Sequence, residues 1–525
     1  MSMRIGITVL YFLLLFGLGL WASRRVRNMK DYYVAGKGLG YWLVSFSSRA
    51  TGESGWLLLG LTGFGFAFGM HGFWVVLGEM MGVTLCWVFL TQRFKVLTDH
   101  YDCITVTDYL SDRLGDSKHV IRLLATLALV VFITAYVAAQ FTACGKAFSG
   151  FFEIEHIYGV LIGVVIVGFY TIAGGFLAVV WSDLIQGLLM LLGLVAIPVV
   201  ALITIGGPAE MISALGQSHT DGLTNGASLL DPWMGDSSAV GIMGVVSLVA
   251  IGLGFLGSPQ LFVRFISVKN VEELGKGSLV ATLFTLITDA GAVLTGMCGR
   301  VLVEQNGAMG TLKEMAGTNE IASAKEQILP YLSNLLFPEI LTGVLVAIVL
   351  AAIMSTADSL LILVSSAVVR DVWQRTLGVQ MSDTQARNRA RLVTASVCGL
   401  AFALALDPDG VVFSLVLFAW TGITATFCPV LILSLFWSGL TRAGAVVGMC
   451  WGMTMSIIWT VPVNDIPWVK TYLWSGFSGS AEEAMIPAFF GALILTRIVS
   501  LLTTPPPEAR AVLAQAESQV VDIWR

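Results

Sequence analysis

Apolar residues fill this chain in long unbroken runs separated by short polar connections. Thirteen runs stand out, near 4–22, 40–68, 72–91, 120–148, 157–178, 184–205, 239–265, 278–302, 338–369, 391–406, 411–437, 443–461 and 484–503. A hydrocarbon core about 30 Å thick needs about 20 apolar residues per helix. Only helices and closed barrels satisfy every backbone polar group in lipid, and barrel strands alternate over about ten residues. These runs are continuous and longer, so the pattern predicts an all-α membrane protein of about 13 transmembrane helices.

Two runs are interrupted. In the second, "SSRATGESGWLLLG" (47–60) sets Arg49, Gly52, Glu53, Ser54 and Gly55 inside apolar surroundings. In the seventh, "IGLGFLGSPQLFVRF" (251–265) carries Gly252, Gly254, Gly257 and Pro259. Non-helical backbone at membrane depth persists only where it is buried in protein or lines a cavity. Either break alone reads better as glycines packed at helix contacts. Five runs apart, they match two five-helix inverted repeats, spans 2–6 and 7–11, each with an unwound first helix that forms a binding site.

Polar residues inside other runs add candidates. "AAIMSTADSLLILVSS" (351–366) clusters Ser355, Thr356, Asp358 and Ser359. A carboxylate within a span is costly and marks a functional site by default, and hydroxyls and carbonyls are ligands for a small hard cation. The hydroxyls could instead bond back to their own helix, which explains Asp358 less well. In "TIAGGFLAVVWSDLIQG" (171–187), Gly174 and Gly175 end the fifth run and Asp183 opens the sixth. An acidic residue there also fits a helix N-terminus through the macrodipole.

Composition agrees with the pattern. Of 525 residues, 56% are hydrophobic and 12% charged, with mean hydropathy +0.84; soluble domains carry about 25% charged residues. The first run is no signal peptide by its flanks, since Arg24, Arg25 and Arg27 follow it rather than precede it. By the positive-inside rule that loop is cytoplasmic and the N-terminus lies outside. With thirteen spans, the inside loops then hold Arg93, Lys95, Arg113 and Lys118; Arg264, Lys269 and Lys276; Arg370, Arg375, Arg387 and Arg389; and Arg442. The outside loop 206–238 has no lysine or arginine, 303–337 has Lys313 and Lys325, and the C-terminus lies inside. The seven cysteines form no CxxC pair and read as small buried residues.

The chain divides into an extra first helix and loop (1–39), a first repeat (40–205), an extracellular loop (206–238), a second repeat (239–437), two further helices (438–503) and a tail (504–525). No HExxH, phosphate-binding loop or nucleophile–histidine pair is visible, and the GxG of "IGLGFLG" lacks a preceding strand. An enzyme, a sensor or a channel with a carbonyl filter fits poorly, and nothing points to nucleic acid.

Five stretches together, "DYYVAGKGLG", "SGWLLLGLTG", "GGFLAVVWSD", "GLGFLGSPQLFVRF" and "AAIMSTADSLL", resemble the sodium/solute symporter family, most closely its sodium/proline symporter branch. They run in the family's order over roughly residues 5–460. The resemblance implies a thirteen-helix secondary transporter in a bacterial plasma membrane, with sodium, a small organic solute and the bilayer as partners. It implies a sodium site of the carbonyls of Ala50, Glu53 and Ala352 and the hydroxyls of Ser355 and Thr356. Asp183 matches the family's acidic residue linked to cation passage. Asp358 and Ser359 fall where some members bind a second sodium, here open to a second sodium or a proton.

The chain departs from the branch at Gly52, where an aspartate is expected; its neighbour Glu53 carries the carboxylate instead. Glu53 then either reaches the cation or pairs with Arg49. In the solute pocket Ser54, Trp56 and Tyr136 match, Ile251 and Phe255 replace a tryptophan and a tyrosine, and Gln140 adds an amide. Proline or a related amino acid is the leading solute. A sugar acid, a monocarboxylate or proton coupling on the same fold are the alternatives.

Overall fold

The computed structural model describes residues 2–26, 28–218, 227–316, 321–460 and 481–520. Arg27, the end of the predicted run 443–461, parts of both long outside loops and the end of the tail lie outside the described residues. Among those described the chain is nearly all helix, and its one β contact is an isolated parallel bridge between Leu39 and Val268.

Among the described residues, nine helices are long and apolar enough to cross a membrane. We label the segments that matter in chain order: α1 (Ser2–Ser23), α2 (Tyr41–Gly55), α3 (Thr62–Phe68), α4 (Phe73–Leu85), α5 (Thr91–His100), α6 (Val120–Phe152) and α7 (His156–Ile205). There follow α8 (Ala239–Ala250), α9 (Pro259–Ile266), α10 (Val271–Gln305), α11 (Glu339–Ser366), α12 (Asp383–Leu404), α13 (Val412–Phe436), α14 (Arg442–Thr460) and α15 (Met485–Leu501). The continuous stretch Tyr41–His100 holds two predicted runs around a turn at Gly69–Gly72. α7 holds two more across a break at Gly175, whose φ is 63°. With α12 and α14 the arrangement is consistent with thirteen spans.

α11 sits at the centre, packed by α1, α2, α6 and α7. Every side chain from Leu345 to Ser366 on it is buried. A helix apolar all round has no lipid face to present and belongs inside a bundle. Its few polar groups therefore must find partners within the protein, because no water reaches them.

Both expected breaks occur, but the first is narrower than the sequence pattern suggests. α2 stays helical through Glu53 and leaves helical geometry at Ser54, with φ 57° and ψ −176°, before a π-helical turn over Trp56–Leu61. That backbone region is essentially reserved for glycine and costs about 1–3 kcal/mol, so surrounding contacts must hold Ser54 in it. In the seventh run, α8 gives way to a 3₁₀ turn at Ile251–Leu256, the chain straightens through Gly257 and Ser258, and Pro259 starts α9.

Gly252 lies backbone to backbone against α4: a Cβ there would overlap the Gly78 carbonyl and sit 3.0 Å from the Glu79 nitrogen. Only glycine permits this approach, and it brings the side chain of Glu79 up to the break.

Three predicted loop bases do not face solvent. Lys95, Arg113 and Arg264 are buried, Arg264 completely. Lys95 lies on α5, which continues the third run beyond its predicted end, and bonds Asp99 and the Ile266 carbonyl. Arg264 lies in α9, which continues the seventh span past the break. Lys118, Lys269, Lys276 and Arg389 are exposed as expected.

Candidate functional site

The break in α2 faces α11. A regular helix would bond the Gly55 N–H to the Thr51 carbonyl. Here Gly55 N–H donates to Gln140 Oε1 on α6 at 3.0 Å. The Thr51 carbonyl instead accepts from Thr356 Oγ1 at 2.9 Å. Ser355 Oγ lies 2.8 Å from the Ala50 carbonyl and 3.0 Å from the Ala352 carbonyl. Four of the five residues mapped onto a sodium site, Ala50, Ala352, Ser355 and Thr356, thus supply oxygens that converge at the break. The Glu53 carbonyl accepts from the Trp56 N–H, and Thr51 joins the group unforeseen. Hydroxyls that now donate to carbonyls can turn their lone pairs to a cation, since a hydroxyl carries both functions.

Asp183 is no helix cap. The break that begins its helix lies at Gly175, two turns earlier. Asp183 is fully buried and accepts from Ser47 Oγ at 2.6 Å and from Arg264 Nη2 at 2.8 Å. The same Nη2 donates to Ser359 Oγ at 2.6 Å and to Thr51 Oγ1, while Nε donates to Ser47 Oγ at 2.7 Å. The guanidinium fills the point at which the oxygens of Asp183, Ser359, Ser47 and Thr51 meet. Asp358 Oδ1 lies 3.2 Å from Ser359 Oγ.

Glu53 pairs with Arg49, four residues earlier on the same face of α2, in a buried ion pair. Of the two roles open to it, pairing is the arrangement seen. Arg49 also stacks over Phe255, its guanidinium carbon 4.5 Å from the ring centroid. Two carboxylates absent from the sequence reading complete this neighbourhood. They are Glu79 on α4 and Asp289 on α10; one oxygen from each of Glu53, Glu79 and Asp289 lies within 4.8 Å of the others.

Beside the break is a cavity of about 10 Å³, lined by Gly52, Trp56, Glu79, Tyr136, Ile251 and Phe255 with Val416, Leu417 and Trp420. It has room for about one water, so a solute enters only when side chains part. Four expected pocket residues, Trp56, Tyr136, Ile251 and Phe255, do meet there. Ser54 and Gln140 stand behind them: Ser54 Oγ accepts from Trp56 N–H at 3.0 Å, and Gln140 holds Gly55. Trp420 was not anticipated. Its Nε1 donates to the Ile251 carbonyl at 2.9 Å, satisfying a group freed by the 3₁₀ turn, and its ring lies 5.1 Å from Phe255.

Comparison with known proteins bears on the family and the fold. A model described as the sodium:solute symporter family matches residues 32–452. The high-affinity proline transporter PutP of Bacillus subtilis (strain 168) is 33% identical over 493 residues, covering 94% of this chain and 96% of that protein. A sodium/proline symporter of Staphylococcus aureus (strain JH9) is 31% identical over 502 residues, covering 94% and 92%. Among solved structures, a Na+-coupled sialic acid symporter in a substrate-bound outward-open state superposes with TM-score 0.75 at 19% identity, covering 96% of this chain and 98% of that one. MhsT in complex with L-phenylalanine gives 0.53 at 15% identity, covering 88% and 98%. Those two likenesses speak to the fold. The chain belongs to the sodium:solute symporter family, multi-pass membrane transporters rather than enzymes, and that membership supports sodium-coupled symport.

Proposed function

We propose that the protein takes up proline or a closely related amino acid together with sodium. Sodium binds among the carbonyls of Ala50, Thr51 and Ala352 and the hydroxyls of Ser355 and Thr356, while the Glu53 carbonyl stays with the Trp56 N–H. The solute binds beside it among Trp56, Tyr136, Ile251 and Phe255, with Ser54 and Gln140 holding the broken backbone. The observation that carries this reading is the pair of α11 hydroxyls meeting carbonyls released by the break at Ser54. The proline assignment draws support from relatives whose names specify proline.

Sodium and solute share the broken segment, so each that orders it tightens the other, by reciprocity. The loaded protein then exchanges outward and inward access by rocking of the repeats spanning 40–205 and 239–437. In this reading the N-terminus lies outside and the C-terminus in the cytoplasm. Arg264 supplies the positive charge next to Asp183 and Ser359, so this reading needs one sodium per cycle and no second cation at Asp183, Asp358 and Ser359.

Uptake of labelled proline into proteoliposomes tests the proposal. An inward sodium gradient drives accumulation if it holds, and a proton gradient alone does not. Accumulation that ignores sodium and follows the proton gradient assigns the chain to the proton-coupled alternative. Uptake of a sugar acid or monocarboxylate in place of proline refutes the solute assignment alone.

A further inference from the structure

Glu79 is a buried carboxylate in the wall of the solute cavity, and the sodium site gives it no task. It lies on α4 and is held against the seventh span by the glycine contact between Gly78 and Gly252. Its side chain is 4% exposed, and its Oε2 has no hydrogen-bond partner. The nearest cation, Arg49 Nη2, is 4.0 Å away and already bound to Glu53. The titratable groups around it are Arg49 and Glu53 from α2, Asp289 from α10 and, across the cavity, Tyr136 from α6. Arg49 brings one positive charge against three carboxyl groups. A buried charge without a partner is not stable in such surroundings.

The rest of the wall is aromatic: Trp56, Tyr136, Phe255 and Trp420 share the cavity with Glu79. Aromatic faces attract a cation through their quadrupole, and they offer a hard metal ion no oxygen ligands. One free carboxylate within an aromatic box suits an organic ammonium. We propose that Glu79 is the counter-charge for a cationic nitrogen on the transported solute. The pocket then takes zwitterionic amino compounds and rejects anionic solutes that lack an amine. The inference rests on the amino-acid reading of this pocket and narrows it by naming the group that is recognised.

The test measures solute-dependent thermal stabilisation of the full chain in detergent with sodium chloride. The probes are proline, glycine betaine, lactate and cyclopentanecarboxylate, which keeps proline's ring and carboxylate without its nitrogen. In the wild type, the nitrogen-bearing probes stabilise and the two plain acids do not. In Glu79→Gln, the half-saturating proline concentration rises on the order of a hundredfold, as when one partner of a buried charge pair is lost, while stabilisation by sodium alone persists. Glu79→Asp keeps the charge one methylene further back and keeps the preference for nitrogen at weaker affinity. Three results overturn the proposal: cyclopentanecarboxylate binding within about threefold of proline, a difference too small for a lost charge contact; equal weakening of all probes in Glu79→Gln; or loss of the sodium response in Glu79→Gln, which makes the carboxylate a metal ligand. A wild type stabilised by betaine but not proline refutes the proline assignment and leaves the role of Glu79 standing.

Discussion

The ion pair between Asp183 and Arg264 lends itself to a quantitative test. Both side chains are fully buried, with Nη2 and Oδ2 2.8 Å apart. At an effective dielectric of about 20, two unit charges at that distance attract by about 6 kcal/mol. Desolvation offsets much of this, and breaking a buried pair from one side typically costs roughly 3–5 kcal/mol. Asp183→Asn leaves Arg264 with Ser47, Thr51, Ser359 and the Gln260 carbonyl as acceptors, which argues for the lower end, about 3 kcal/mol. Arg264→Met leaves Asp183 with two hydroxyl donors, from Ser47 and Thr51, and costs about the same by that argument. The double variant strands neither charge and should cost no more than either single, so the cycle should return a coupling of about 3 kcal/mol or more. Reversible unfolding in mixed detergent micelles, with potassium replacing sodium, measures all four proteins. Single effects that add within about 0.5 kcal/mol would refute the claim that the arginine supplies Asp183's counter-charge.

Other consequences follow from individual contacts. Gln140→Leu strands the Gly55 N–H and should destabilise by about 1–3 kcal/mol in the same unfolding assay; unchanged stability would mean that Gly55 finds another acceptor. Gly252→Ala forces a methyl into the α4 backbone and should cost about 1–3 kcal/mol or more, read as lost monodisperse yield on size exclusion. Trp420→Phe keeps the ring beside Phe255 but frees the Ile251 carbonyl, for a loss of about 1 kcal/mol, and should weaken solute binding more than sodium binding in paired titrations.

Much of the fold was legible because membrane helices must be continuous, and their exceptions stand out in sequence. Gly252, Gly257 and Pro259 marked the second break, and the crowding of Arg49, Gly52, Glu53 and Gly55 marked the first. The break at Ser54 itself was less visible, because its backbone is held by bonds to Trp56 and Gln140 rather than by glycine at that position. Arg264 was misplaced since it follows an apolar run, where a base normally reaches the interface; α9 instead turns it inward to Asp183. Asp183 resembled a cap only while the start of its helix was set too late. Glu79 and Asp289 were findable: each is a lone carboxylate within an apolar run, the same signal that singled out Asp358. Trp420 carries no such mark, because a tryptophan in a span is ordinary until its indole N–H is seen on the Ile251 carbonyl.

The central claim is that sodium and solute meet at one broken segment and bind cooperatively. The most direct measurement is proline affinity of the purified protein as sodium is raised at constant ionic strength, in wild type and Ser355→Ala. The account predicts that sodium tightens proline about tenfold or more, that proline tightens sodium by the same factor, and that both effects fall away in the variant. Proline affinity that is the same with and without sodium in the wild type would contradict it.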